Sequence, residues 1–252
     1  MTTAVTQAPA ADTRHVDVLI AGAGISGIGS AYHLQEQCPG KSYLILEMQD
    51  SFGGTWKTHK YPGVRSDSDL YTFGYRFKPW LGAPIASAEE ILKYMGEVID
   101  ENGIDEHILY GHRIARCSWS SEDNLWTIEA TRLSDDAPVT VTCNFLWMCQ
   151  GYYDHEKPYI PDWKGMDSYQ GQFVHAQLWD PDTDYSGKRV LVIGSGATAA
   201  TVIPAFAEKA EHVTMLQRSP TYFFCSENKN ELADQLREIG IDEPTIPVSY
   251  TH

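Results

Sequence analysis

Val16-Asp-Val-Leu-Ile-Ala-Gly22-Ala-Gly24-Ile-Ser26-Gly27 runs a short apolar strand into a glycine-rich turn of G-x-G-x-x-G form. Behind the glycines, Ile25 to Gln37 carries Ile28, Ala31, Tyr32 and Leu34 at helical spacing, so the turn is predicted to open a helix. Such glycines let backbone N–H groups and a helix N-terminus approach a pyrophosphate. Lys188-Arg-Val-Leu-Val-Ile193 repeats the arrangement ahead of Gly194-Ser195-Gly196-Ala197-Thr198-Ala199, with Thr198 to Ala207 as its helix. Two such units predict an α/β chain of two dinucleotide-binding, Rossmann-like three-layer domains.

The residues just past the second strand of each unit separate the two nucleotides. Ser42-Tyr-Leu-Ile-Leu-Glu47 ends in a carboxylate about twenty residues past the first glycine, where an acid accepts hydrogen bonds from an adenosine ribose diol. His212-Val-Thr-Met-Leu-Gln217-Arg218-Ser219 ends in an amide and a guanidinium instead. A ribose 2′-phosphate is repelled by a carboxylate and pairs bidentately with arginine. The first loop therefore reads as an FAD site built on Gly22, Gly24, Ser26, Gly27 and Glu47. The second reads as an NADPH site built on Gly194, Ser195, Gly196, Ala197, Thr198, Arg218 and Ser219. A strand-to-helix turn without a ligand is the alternative at each place.

Composition bounds the partners. At 252 residues the chain allows one large or two small domains, and its formal net charge of −15 argues against a nucleic-acid surface or an anionic membrane. The five cysteines form no C-x-x-C pair, which argues against a dithiol reductase and a zinc site. No apolar run approaches the length of a membrane span and the start lacks signal-peptide order, so a cytoplasmic location is expected.

Along the chain, residues 1–13 read as a loose tail, 14–155 as the FAD-binding domain, 156–187 as a linker, 188–246 as the NADP-binding domain and 247–252 as candidate read-through residues. Ser51 to Pro84, crowded with Gly, Pro and aromatic residues, shows no sustained period and is expected to be a structured loop. Ser87-Ala-Glu-Glu90 is a capping-box start for a helix to about Asn102. His112 to Trp119, Leu125 to Ala130 and Val139 to Cys143 alternate and predict a small antiparallel meander inserted into the parallel domain. A separate apolar strand, Phe145 to Cys149, is expected after it. Glu231 to Ile239 reads as a last helix.

Two longer stretches carry a family resemblance. Gly53-Gly54-Thr55-Trp56-Lys-Thr-His-Lys-Tyr61-Pro62-Gly63-Val-Arg65-Ser-Asp67 resembles, position for position, the motif G-G-x-W-x-x-x-x-[FY]-P-G-x-x-x-D of Baeyer–Villiger monooxygenases. Tyr169-Gln-Gly171-Gln-Phe-Val-His175-Ala-Gln-Leu-Trp179-Asp180 is similar to their fingerprint F-x-G-x-x-x-H-x-x-x-W-[PD], with Tyr169 in place of the usual Phe. Arg65 to Trp80 and Val213 to Tyr222 look closest to the subgroup that contains the ethionamide-activating monooxygenase, and the resemblance runs from about Val16 to Tyr222.

The resemblance implies that NADPH reduces FAD, that the reduced flavin captures O₂ as a C4a-peroxyflavin, and that this oxidises a ketone to an ester or lactone, or a sulfide. It further implies that Gly54, Thr55 and Trp56 lie beside the FAD, that Asp67 sits near the flavin and a catalytic arginine, and that Arg65 faces the nicotinamide nucleotide. His175 would belong to a linker that couples reduction to oxygenation. Taken alone, Asp67 in Ser66-Asp-Ser-Asp69 also reads as a turn or cap residue, His175 as an ordinary hydrogen-bonded histidine, and Trp56, Trp80 and Trp179 as core aromatics. Family members are considerably longer, and their second half supplies the catalytic arginine and the strands that close the FAD domain. These residues by themselves are accordingly expected to bind FAD weakly and turn over nothing, with open sheet edges. The alternatives are an N- or S-oxygenating flavin monooxygenase and a non-catalytic nucleotide-binding fragment.

Overall fold

In the computed structural model, which describes residues 12–223 and 225–246, the chain forms two compact units. The first comprises the residues up to Gly54 together with Met95–Tyr152, the second Thr55–Tyr94 together with the residues from Tyr153 onward. Sequence order puts residues 55–94 inside the 14–155 stretch, whereas their packing joins them to the second unit. The expectations for residues 1–11 and 247–252 fall outside the described residues.

A continuous apolar run suits a strand covered on both faces of a parallel sheet. β1 (Asp12–Ala21) accordingly buries Val16, Val18, Leu19, Ile20 and Ala21, and β2 (Tyr43–Leu46) is buried at all four positions. Between them α1 (Ile25–Gln37) turns Ile28, Ala31 and Leu34 inward. β3 (Ile108–Leu109), β4 (His112–Ser120), β5 (Leu125–Arg132) and β6 (Ala137–Met148) complete a six-stranded sheet of order β3-β2-β1-β6-β5-β4. β3, β2, β1 and β6 run parallel; β6, β5 and β4 are antiparallel. Leu19, Leu44, Leu46, Ile128, Val141 and Cys143 share one core.

Two expectations change here. Asp12 and Thr13, expected in the tail, belong to β1: Asp12–Val16 pairs in register with Val139–Cys143, a backbone pairing that the polar run Asp-Thr-Arg-His does not advertise. The predicted strands Val139–Cys143 and Phe145–Cys149 are one strand: Asn144 interrupts the apolar pattern, yet the register of β1 with β6 continues unshifted across it, from Val16 opposite Cys143 to Val18 opposite Phe145. The expected antiparallel meander, β4-β5-β6, is continuous with the parallel sheet through β6. Beyond Cys143, β6 pairs with β1 but not with β5, and Phe145 and Trp147 are exposed.

The segment 51–84 holds two single helical turns, α2 (Thr55–Thr58) and α3 (Leu70–Phe73), rather than loop alone. They are too short to show a period. α4 (Ala88–Glu101) begins as expected: Ser87 Oγ accepts the Glu90 N–H at 3.2 Å while the Glu90 carboxylate accepts the Ser87 N–H at 2.8 Å.

In the second unit, β7 (Arg189–Ile193) and β8 (His212–Leu216) lie parallel with α5 (Ala197–Ala207) between them in sequence. Val190, Val192 and Val213 face a core built on Tyr61, Val202 and Phe206; Leu191, Ile193 and Leu216 on the other face are exposed. α6 (Glu231–Glu238) is capped by Asn230, whose side chain accepts the Ala233 N–H. Arg237 on α6 bonds the Tyr71 hydroxyl at 3.0 Å and the Glu243 carboxylate at 2.7 Å.

Candidate functional site

At the first loop, backbone meets backbone where a side chain would have no room. Gly22 adopts φ +102° and a Cβ there would sit 2.8 Å from the Cys149 carbonyl oxygen; a Cβ on Gly27 would lie 1.9 Å from the Gly22 oxygen. Gly54, at φ +54°, abuts Gly24 with 3.2 Å between its would-be Cβ and the Gly24 Cα. Gly24 caps α1 without a side-chain bond, and Ser26 is exposed on the first turn; the N-terminus of a helix is a place that suits an anion. Glu47 is buried just past β2, where one carboxylate oxygen accepts the Ala23 N–H at 2.7 Å and the other the Gln49 N–H at 2.8 Å. It fastens the turn, and its remaining lone pairs can still accept. Glycines, helix end and acid thus come together, and the cradle fits a dinucleotide pyrophosphate. Beneath it, burial pushes the Cys149 thiol up.

The second loop lies at the matching end of its own strand pair. Ile193 and Leu216 are register partners, the Gly194 N–H donates to the Leu216 oxygen at 2.9 Å, and Arg218 and Ser219 come two and three residues later, exposed. Gly194 takes φ +125°, and nothing lies within 4 Å of a Cβ on Gly194 or Gly196, which leaves room for phosphate oxygens. Ser195 Oγ shares a 2.7 Å hydrogen bond with Thr221 Oγ1. No motif spacing marks Thr221 in the sequence. Ala197 and Thr198 form the first turn of α5.

The other motif residues fall in the second unit. Trp56 on α2 meets Phe73 edge-on, at 6.1 Å between ring centroids. Arg65 bridges to Ser87, and buried Ser66 accepts the Ala86 N–H. The ambiguity of the Ser/Asp run resolves residue by residue: Asp69 caps α3 through the Tyr71 N–H at 2.8 Å, whereas Asp67 caps nothing and is exposed, accepting from Ser68 Oγ at 3.3 Å. His175 caps a short 3-10 turn, its Nδ1 accepting the Gln177 N–H at 3.2 Å. Trp179 packs on Tyr185 and Phe206, and Trp80 is buried with its indole N–H bonded to the Ala83 oxygen, so both serve as core aromatics.

Two histidines that no spacing signal reveals gather near His175. His59 is 6% exposed, packs edge-on to Tyr153, and its Nε2 has no hydrogen-bond partner; neither has His155 Nδ1. Burial first, then the charges His155 and His175 would carry, lower the His59 pKa from the ordinary 6.5. The fold therefore holds neutral His59. The unfolded chain takes up this proton below about pH 6.5 and the folded one only at lower pH, so the contribution is complete above that value and drains away on acidification. His59→Phe is expected to flatten the fall in melting temperature between about pH 7.5 and 5.5; an unchanged slope would place the titration elsewhere.

Comparison with known families decides where this geometry belongs. A flavin-binding monooxygenase-like family model matches residues 85–231, and an NAD(P)-binding Rossmann-like domain model matches residues 20–80. The chain belongs to the flavin-binding monooxygenase-like family. The FAD-containing monooxygenase EthA of Mycolicibacterium smegmatis is 52% identical over 212 residues, covering 83% of this chain and 43% of that protein. The chain thus spans under half the length of this relative. Among solved structures, cyclohexanone monooxygenase from Rhodococcus sp. Phi1 bound to NADP⁺ superposes with a TM-score of 0.72 at 27% identity, over 90% of this chain and 43% of the other. Oxidised steroid monooxygenase bound to NADP gives 0.70 at 31%, over 82% and 39%. Among the described residues no helix is long and apolar enough to cross a membrane, and no His/Cys/Asp/Glu group could hold a metal.

Proposed function

We propose that these residues are the nucleotide-binding part of an FAD- and NADPH-dependent monooxygenase that uses O₂ to convert ketones into esters or lactones. The contrast between Glu47 and Arg218, each just past the second strand of its unit, carries the reading: an acid suits a bare ribose diol, a guanidinium a ribose 2′-phosphate. FAD is held by the Gly22–Gly27 turn, Gly54 and Glu47, with Thr55 and Trp56 next in the chain. NADPH is held by Gly194 to Thr198, Arg218 and Ser219. The flavin, once reduced by NADPH, supplies the activated oxygen. Asp67, an exposed carboxylate with no capping duty, is the group to orient a guanidinium beside the reacting oxygen; Arg65 lies on the same segment and faces the nicotinamide nucleotide. His175 acts as a conformational element. A cytoplasmic location fits the reading.

The ketone assignment draws on the two long motifs and on solved neighbours that are named as cyclohexanone and steroid monooxygenases. Sulfide oxidation is the second reading, because the curated relative is named only as an FAD-containing monooxygenase. The test is the rate of NADPH oxidation by the full-length gene product with and without a cyclic ketone. The rate should rise with ketone and lactone should form in step. Stimulation by a thioether alone, with sulfoxide as the product, would replace the ketone reading by the second.

A further inference from the structure

We propose that Tyr61 is a positioning residue for the second dinucleotide site, acting through Thr198 on the first turn of α5. Tyr61 is 7% exposed and shares its core with Val202 and Phe206, both on α5. Its hydroxyl is in hydrogen-bonding reach of the Thr198 hydroxyl, and burial raises its pKa, so it stays protonated. The turn that carries it is seated on the same helix: at Gly63, φ +76°, a Cβ would lie 3.1 Å from the Thr201 oxygen and 3.3 Å from the Ala205 Cβ. The Val64 N–H closes this turn on the Tyr61 oxygen at 3.3 Å. Thr201 Oγ1 in turn bonds the Ala197 oxygen at 2.9 Å.

Successive turns of α5 are therefore gripped from the side at Thr198, Thr201 and Ala205. At the start of the helix Gly196 caps α5 without a side-chain bond, and apart from its chain neighbours nothing lies within 4 Å of where its Cβ would be. Helix N-termini bind anions through N–H groups whose direction is set by the helix they begin. Tyr61 sets that direction, and its hydroxyl holds the side chain of half-buried Thr198. The aromatic position of the first long motif thus serves the nucleotide of the second loop.

This rests on reading the second loop as an NADP site, and the experiment separates the two. The flavin-loaded, full-length gene product is titrated with NADP⁺ and with NAD⁺, alongside Tyr61→Phe, Thr198→Val and the double variant. Tyr61→Phe keeps the ring and its packing while removing the hydroxyl. Loss of one hydrogen bond should weaken NADP⁺ binding roughly 3- to 10-fold. Thr198→Val should match it, the double variant should be no weaker than the weaker single one, and NAD⁺ should lose by the same factor, with flavin content unchanged. An unchanged dissociation constant in Tyr61→Phe, or losses that multiply in the double variant, would overturn the role of Tyr61. Wild-type protein without measurable NADP⁺ affinity would overturn the reading of the loop, and the proposal with it.

Discussion

Replacing Gly27 with alanine is expected to empty the first nucleotide site. The added Cβ would stand 1.9 Å from the Gly22 carbonyl oxygen, a backbone atom that belongs to the cradle itself. No side chain can swing aside there, so either α1 lifts off the loop or the loop opens. Overpacking of this kind costs about 3 kcal/mol. Alanine's better helix propensity returns only about 1 kcal/mol of that. The remainder falls on the atoms that would face the pyrophosphate, so flavin loss should outrun any loss of fold. Flavin per polypeptide after gel filtration of the full-length gene product should drop more than about tenfold, the ratio that corresponds to about 1.4 kcal/mol. Gly40→Ala is the control, since nothing lies within 4 Å of a Cβ there. Equal flavin retention by the two variants would remove the cradle from the account.

Arg218→Ala is expected to have the next largest effect, and on one coenzyme only. Arg218 is exposed just beyond β8, so removing it costs little stability. A bidentate guanidinium–phosphate contact contributes about 1.5–3 kcal/mol, or roughly 10- to 100-fold in affinity. That loss should appear in KM for NADPH and not for NADH, which lacks the 2′-phosphate. Arg218→Glu should carry the preference further, because its carboxylate would accept from the ribose diol as Glu47 is placed to do in the first unit. Parallel losses for both coenzymes would mean that Arg218 has no part in reading the phosphate.

The portions of this molecule that are legible in sequence are those whose cause is local. The glycine turns, the strands beside them and α1 obey steric and periodic rules within about fifteen residues. The start of α4 comes from one Ser87–Glu90 pair. Other features depend on partners far away in the chain. β1 starts at Asp12 and β6 runs through Asn144 because each supplies the other's backbone bonds. Tyr61 belongs to the second unit because Val202 and Phe206 bury it, across more than a hundred residues that no periodicity links. For the same reason nothing in the sequence sets His59 and His155 beside His175, although the two long motifs that contain His59 and His175 are plain. The choice between Asp67 and Asp69 as cap required the observed Tyr71 N–H bond.

The most direct test of the central claim traces the oxygen itself. The full-length gene product is supplied with NADPH, a cyclic ketone and ¹⁸O₂, and the product is analysed by mass. The account predicts a lactone with one labelled oxygen atom, formed in step with NADPH consumed and lost when the Gly27→Ala variant is used. NADPH oxidation that ends in labelled hydrogen peroxide with the ketone recovered unchanged, or a label in the sulfoxide of an added thioether alone, would contradict it.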